Sequence, residues 1–148
     1  MVSIYQAKPA FQRLLRPLAA FAARTGITPN QVTTAAIVLS ILAGGWLALA
    51  PDSRAPLLAL PLVLLLRMAL NAIDGMLARE HRMQSSLGAF LNELGDVISD
   101  VALYAPFALV TGVHAGLVVA CVLLAVLTEL TGVVAVLVGA SRRYDGPM

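Results

Sequence analysis

The residues with chemistry to offer gather in one stretch of the chain. Between Arg67 and Asp100, an otherwise apolar helical pattern carries Arg67, Asn71, Asp74, Arg79, Asn92, Glu93, Asp96 and Asp100. Ionisable groups in hydrocarbon cost roughly a few kcal/mol each or more, so they pair with one another, bind metal or face a wet cavity. Residues 67, 71, 74, 75 and 78 share one helical face, and 88, 92, 96 and 100 share another. The loop over 80–87 joins the two helices as an antiparallel pair, so residues equally far from it lie at equal depth. That rule levels Asp74 with Asn92, Asn71 with Asp96, and Arg67 with Asp100. At about 1.5 Å per residue, the first pair lies roughly 6–8 Å in from the helix ends and Asp100 roughly 18 Å in.

Two facing stripes of carboxylates and amides suit a hard divalent cation such as Mg²⁺ or Mn²⁺, which prefers oxygen ligands. A cation so held can bridge a pyrophosphate and offset charge at a transferred phosphorus. Gly75, Ala78 and Gly88 leave room for a substrate beside the stripe. The same spacing also fits a structural polar zipper between two helices.

The elements that position these residues are membrane helices. The chain of 148 residues is 59% hydrophobic and 12% charged, with mean hydropathy +0.87. Soluble domains carry about 25% charged residues, so this is an integral membrane protein. Spans need about 20 apolar residues each, which allows about four or five in a single membrane domain over 1–148. A net charge of +2 gives no sign of a nucleic-acid partner. With Cys121 as the sole cysteine, no disulfide forms within one chain. The N-terminus lacks the apolar core of a signal peptide.

Residues 4–24 set Lys8, Arg13, Arg16 and Arg24 among apolar residues, with Leu14, Leu15, Leu18 and Phe21 at helical spacing. This is the pattern of a juxtamembrane amphipathic helix lying in the interface, or of a plain positively charged flank. Pro17 is expected to kink or break it. Gly26 stops this helix, and Thr28 with Pro29 opens the next as N-cap and first residue. The transmembrane bundle, 31–148, then has spans over Gln31–Ala50, Leu57–Arg79 and Gly88–Val110, and a fourth that ends near Gly139. Gly44 and Gly45 allow close helix packing, and Glu129 of the fourth span falls at about the depth of Asp100. Basic residues cluster in the N-terminal segment, the 79–88 loop and the tail with Arg142 and Arg143, while the opposite side has only Arg54. By that asymmetry the N-terminus, the loop and the C-terminus face the cytoplasm, consistent with four spans.

The stretch N-A-I-D-G-M-L-A-R over 71–79, then eight residues, then G-A-F-L-N-E-L-G-D over 88–96, resembles the signature of the CDP-alcohol phosphotransferase (CDP-alcohol phosphatidyltransferase) family. That signature is D-x-x-D-G-x-x-A-R, eight residues, and G-x-x-x-D-x-x-x-D. The turn Thr28-Pro29-Asn30 is similar to the family's approach to its first span. The resemblance covers about residues 5–148 and implies an all-α, polytopic helix bundle, an N-terminal interfacial helix and six spans in the full pattern, of which the last two are absent from this sequence. It implies transfer of a phosphoalcohol, often phosphatidyl, group from a CDP-alcohol such as CDP-diacylglycerol to a hydroxyl acceptor with release of CMP, in phospholipid biosynthesis. It implies a homodimer in the inner (cytoplasmic) membrane with its active site facing the cytoplasm. One or two divalent cations, Mg²⁺ or Mn²⁺, would be held at the four acidic positions, here Asn71, Asp74, Asn92 and Asp96. Asp96 would be the general base on the acceptor, and Gly75, Ala78, Arg79 and Gly88 would lie near the CDP moiety. Arg142 and Arg143 resemble residues that hold acceptor phosphate in some members, or form a positive flank.

The first and third acids of the signature are asparagine here, which offers a neutral oxygen in place of a carboxylate. Two functions therefore stand at the level of sequence. One is a metal-dependent transferase. The other is a catalytically impaired relative that binds lipid or nucleotide, or serves as a structural membrane subunit. Arg67 is expected to pair with Asp100 or Glu129, and His81 to be a solvated loop residue. The sequence does not name the acceptor alcohol.

Overall fold

The computed structural model of the chain describes residues 4–139. Arg142 and Arg143 lie outside the described residues, as does the side chain of Lys8. Five α-helices follow in order: α1 (Ile4–Arg24), α2 (Pro29–Leu49), α3 (Arg54–Glu80), α4 (Ser86–Tyr104) and α5 (Ala115–Leu137). A 3-10 helix, Ala105–Leu109, continues α4 before the turn into α5.

The turn between α1 and α2 forms as its residues dictate. Gly26 takes φ +79°, the left-handed conformation that ends a helix without a Cβ penalty. Thr28 accepts from the Gln31 N–H while the Gln31 side chain accepts from the Thr28 N–H, a reciprocal capping box with Pro29 in the first helical turn. Pro17 does not interrupt α1, which is one helix of 21 residues. The expected break is absent because tertiary packing holds the segment on both sides of the proline. Leu15 and Ala19 pack with Met76, and Ala22 with Val32 and Leu77. Leu14, Leu18 and Phe21 stay exposed beside Arg13, Arg16 and Arg24. One edge of α1 therefore docks on α3, with Ala22 reaching the cluster that includes Val32 of α2, and the neighbouring apolar edge faces outward, as in an interfacial helix.

α2 runs antiparallel to α3 and parallel to α4, and packs along both. Thr33 meets Asp74 at one end of the α2–α3 contact, and Leu47 meets Leu60 at the other. Along α4 the approach is close because glycines line it. A Cβ on Gly44 would strike the Ala102 carbonyl, and one on Gly95 would come within 2.8 Å of Ile37 Cδ1. The neighbouring Gly45 faces open space, so only Gly44 of that pair serves the packing. α3 and α4 do not pack directly on each other. The antiparallel relation expected from the loop is present, but α2 is set against both helices and a cleft opens between them. Among the described residues α5 packs along α4 and the 3-10 helix.

Among the described residues three helices are long and apolar enough to cross a membrane: Pro29–Leu49, Arg54–Glu80 and Ala115–Val136. The fourth expected span, α4, is not among them, because Glu93, Asp96 and Asp100 interrupt its apolar run. It nevertheless lies alongside α2 from Gly88, near Asn30, to Ala102, near Gly44, and so traverses the same depth. The chain is a polytopic, all-helical membrane bundle. α3, at 27 residues, is roughly 40 Å long and exceeds the roughly 30 Å hydrocarbon core, so it must tilt or project an end.

Candidate functional site

The signature residues divide between two neighbouring cavities about one helical turn apart. The outer cavity, about 670 Å³, lies at the end of the bundle where the 81–85 loop joins α3 to α4. It gathers Asp74, Gly75, Ala78 and Arg79 from α3 with Gly88, Asn92 and Glu93 from α4. Asn30 and Thr33 of α2 close it from the third side. The inner cavity, about 340 Å³, is lined by Arg67 and Asn71 of α3, Asp96 and Asp100 of α4, and Glu129 of α5. A third, apolar cavity of about 560 Å³ lies between α4 and α5.

Local packing fixes each outer residue. Asp74 is buried at 5% exposure, and the Thr33 hydroxyl lies 2.8 Å from its Oδ2. The same hydroxyl is 3.1 Å from the Pro29 carbonyl, but its single proton serves the shorter contact to the carboxylate. The expected level partner, Asn92, lines the same cavity, yet the bond goes to Thr33 because α2 is the helix that α3 packs on. Arg79 folds back over Gly75, where its Nη2 lies 2.7 Å from the place a Cβ would occupy. Ser85 caps α4 by accepting from the Gly88 N–H at 2.9 Å, and a Cβ on Gly88 would come within 2.8 Å of Asn30 Oδ1. At both glycines the space a Cβ would take is filled by a neighbouring polar side chain, Arg79 at Gly75 and Asn30 with Ser85 at Gly88.

Asn71 and Asp96 meet as the level rule predicts. The Asn71 amide N–H donates to Asp96 Oδ1 at 2.9 Å. Arg67 spans the cleft from α3 to α4. Its Nη1 donates to Asp100 Oδ1 at 2.6 Å, and its Nη2 to Asp96 Oδ1 at 3.1 Å and to the Asp96 carbonyl at 3.3 Å. Asp100, one of the two partners expected for Arg67, is thus bound to it, together with Asp96. The Arg67 Nε is buried with no partner. Such a two-carboxylate clamp suits the planar fork of a guanidinium and would not suit a lysine. Glu129 comes to the same cavity from α5, so the depth expected for it holds. His81 is an exposed residue at the end of α3.

Thr33, Asn30 and Ser85 are site-lining residues that the charged pattern did not single out. Thr33 falls four residues after Pro29, on the same face, and that spacing is its one signal in the sequence. Among the described residues no three His, Cys, Asp or Glu side chains cluster as a metal cage. The signature set offers Asp74, Asp96 and the amide oxygens of Asn71 and Asn92, all hard oxygen donors. The bonds described above engage Oδ2 of Asp74 and Oδ1 of Asp96, leaving one oxygen on each carboxylate outside them. Two carboxylates match the charge of one dication, so the set fits a hard cation.

Comparison with known proteins identifies the family. The family model for CDP-alcohol phosphatidyltransferase matches residues 26–147. The chain belongs to the CDP-alcohol phosphatidyltransferase family, a family of transferases in phospholipid synthesis. It is 49% identical over 146 residues to the inner membrane protein YnbA of Escherichia coli, covering 99% of this chain and 72% of that protein. It is 36% identical over 109 residues to an archaetidylinositol phosphate synthase of Aeropyrum pernix, covering 73% of this chain and 53% of that enzyme. It is 34% identical over 103 residues to a phosphatidylinositol phosphate synthase of Streptomyces avermitilis, covering 70% of this chain and 41% of that enzyme. The chain thus spans about half or less of the two named synthases. No solved structure matches it.

Proposed function

We propose that the two cavities form a CDP-alcohol transferase site, which moves a phosphoalcohol group, phosphatidyl when the donor is CDP-diacylglycerol, onto a hydroxyl acceptor. The observation that carries this reading is the outer cavity. Signature residues from two helices, apart in the chain and not packed on each other, line one space of about 670 Å³ together with Arg79. That volume is in the usual range for small-molecule sites. Arg79, folded over Gly75 at the cavity wall, offers a cation to the phosphates of a nucleotide.

Asp96 would act as the base. The acceptor oxygen bonds to phosphorus as its proton passes to the Asp96 carboxylate. The bond from phosphorus to the CMP oxygen breaks, and CMP leaves with that electron pair. Arg67 and Asn71 hold Asp96 in place through Oδ1, so its Oδ2 is the oxygen for the proton. Bound at Asp74 and Asp96 with the Asn71 and Asn92 amides, one Mg²⁺ or Mn²⁺ would supply charge to the pyrophosphate. The basic asymmetry of the loops supports a cytoplasmic site, and the relative named as an inner membrane protein supports that membrane. The family resemblance supports pairing of two copies.

A second reading has its own observation. Asp96 Oδ1 already receives Arg67 and Asn71, as it would in a site that binds nucleotide without turnover. Purified protein given CDP-diacylglycerol, Mn²⁺ and a panel of alcohols separates the two. The transferase reading expects CMP and the matching phosphatidyl alcohol by mass spectrometry. Nucleotide bound without any CMP released would leave the second reading standing.

A further inference from the structure

Two residues bound to Asp96 or beside it hold positions to which the family signature assigns nothing. Arg67 stands four residues before the first acidic position, which is Asn71 here, and Asp100 stands four residues after the last, Asp96. Residues four apart share a helical face, so Arg67 and Asn71 on α3 are turned toward Asp96 and Asp100 on α4. The four side chains interlock across the cleft. Arg67 Nη1 donates to Asp100 Oδ1 at 2.6 Å. Its Nη2 and the Asn71 amide N–H both donate to Asp96 Oδ1, at 3.1 and 2.9 Å. Nη2 also reaches the Asp96 carbonyl at 3.3 Å. With its side chain 14% exposed, the guanidinium acts where water and salt screen it weakly.

One oxygen of Asp96 is therefore held by a fixed positive charge and an amide proton together. An aspartate at position 71 would set a carboxylate oxygen where that amide now donates. Two carboxylates so close repel unless a cation lies between them, and the Arg67 guanidinium already takes up that side of Asp96. Resting on the transferase reading above, we propose that Arg67, anchored by Asp100, is a resident cation that positions Asp96. It does with a fixed charge what a bound dication does between two acids, and position 71 is an amide because Arg67 is there. A guanidinium stays protonated in proteins, so this charge needs no supply of metal. Arg67 and Asn71 are positioning residues that act through Asp96, and Asn71 is a matched part of the site. If Asn71 were only a weakened ligand, restoring the acid of the signature would improve the site.

The test makes that restoration. CMP release from CDP-diacylglycerol, with inositol, glycerol or glycerol phosphate as acceptor and saturating Mn²⁺, is measured per folded protein for the wild type, Asn71→Asp, Arg67→Met and the double variant. Mn²⁺ bound per chain is counted by electron paramagnetic resonance without substrate. Asn71→Asp should lower kcat about tenfold or more, part of the usual scale for a general base, and leave KM for CDP-diacylglycerol within about twofold. The double variant, in which a cation can take the place of the guanidinium between two acids, should turn over faster than either single variant. It should also bind one more Mn²⁺ per chain than the wild type. Asn71→Asp as active as the wild type, or a double variant no faster than the better single variant, overturns the proposal and leaves the transferase reading intact. If the wild type releases no CMP with any acceptor, the transferase reading falls, and the Mn²⁺ count decides the proposal separately. A further Mn²⁺ in the double variant but not in Asn71→Asp then upholds Arg67 as the resident cation. An unchanged count in the double variant, or the same gain in Asn71→Asp alone, overturns it.

Discussion

Replacing Arg67 by methionine tests the structural half of the account. The substitution keeps much of the side-chain volume and deletes a guanidinium that ties α3 to α4 through Asp96 and Asp100. Removing one partner of a fully buried ion pair costs about 3–5 kcal/mol, because a charge is left behind without compensation. Here the Arg67 side chain is 14% exposed, Asp100 29% and Asp96 36%. Asp96 is open enough for water to screen it, so its share is small, and the loss comes chiefly from Asp100 at 2.6 Å. The orphan Arg67 Nε, whose burial is itself unfavourable, leaves with the substitution and offsets part of the cost. The expected net is about 2 kcal/mol, or roughly a 30-fold fall in the folding constant. Trp46 is the sole tryptophan, and its fluorescence during unfolding in mixed micelles of rising dodecyl sulfate content reports that constant. Adding Asp100→Asn to Arg67→Met should recover about half of the loss, because it removes the stranded charge. Wild-type stability of Arg67→Met, or a further fall in the double variant, would refute the pairing as a structural device.

Gly44→Ala should cost about 1–3 kcal/mol in the same assay, since its Cβ meets the Ala102 carbonyl, whereas Gly45→Ala, facing open space, should be neutral or better. Thr33→Val removes the hydroxyl beside Asp74 Oδ2 and should cost about 1–3 kcal/mol, with a loss of any Mn²⁺ binding seen by electron paramagnetic resonance. Arg16→Ala should change stability little, since the Arg16–Glu80 pair at 3.2 Å joins side chains that are 58% and 42% exposed.

Much of the site was legible because depth in a helical hairpin is simple arithmetic. Asn71 meets Asp96 and Arg67 meets Asp100 as their distances from the loop require. The Thr28 cap and the Gly26 stop were legible because their signals are local. The position of α2 was not. Its parallel run along α4 depends on Gly44 and Gly95 meeting particular neighbours, and no short-range pattern encodes which helix those glycines face. For that reason Asp74 bonds to Thr33 of α2, and the two stripes meet only through the side chains of Arg67 and Asn71 reaching Asp96 and Asp100 across a cleft. Pro17 was misread for a related reason: a proline's local cost was offset by burial of Leu15, Ala19 and Ala22 against other helices.

The central claim is that these cavities carry out phosphoalcohol transfer with Asp96 as the base. Its most direct test is the initial rate of CMP release from CDP-diacylglycerol by wild-type protein and by Asp96→Asn, at equal amounts of folded protein judged from Trp46 fluorescence. The account predicts Mn²⁺-dependent release by the wild type and a fall of about 10²-fold or more in the variant, the usual scale for loss of a general base. Release that is equal in the two proteins would contradict it.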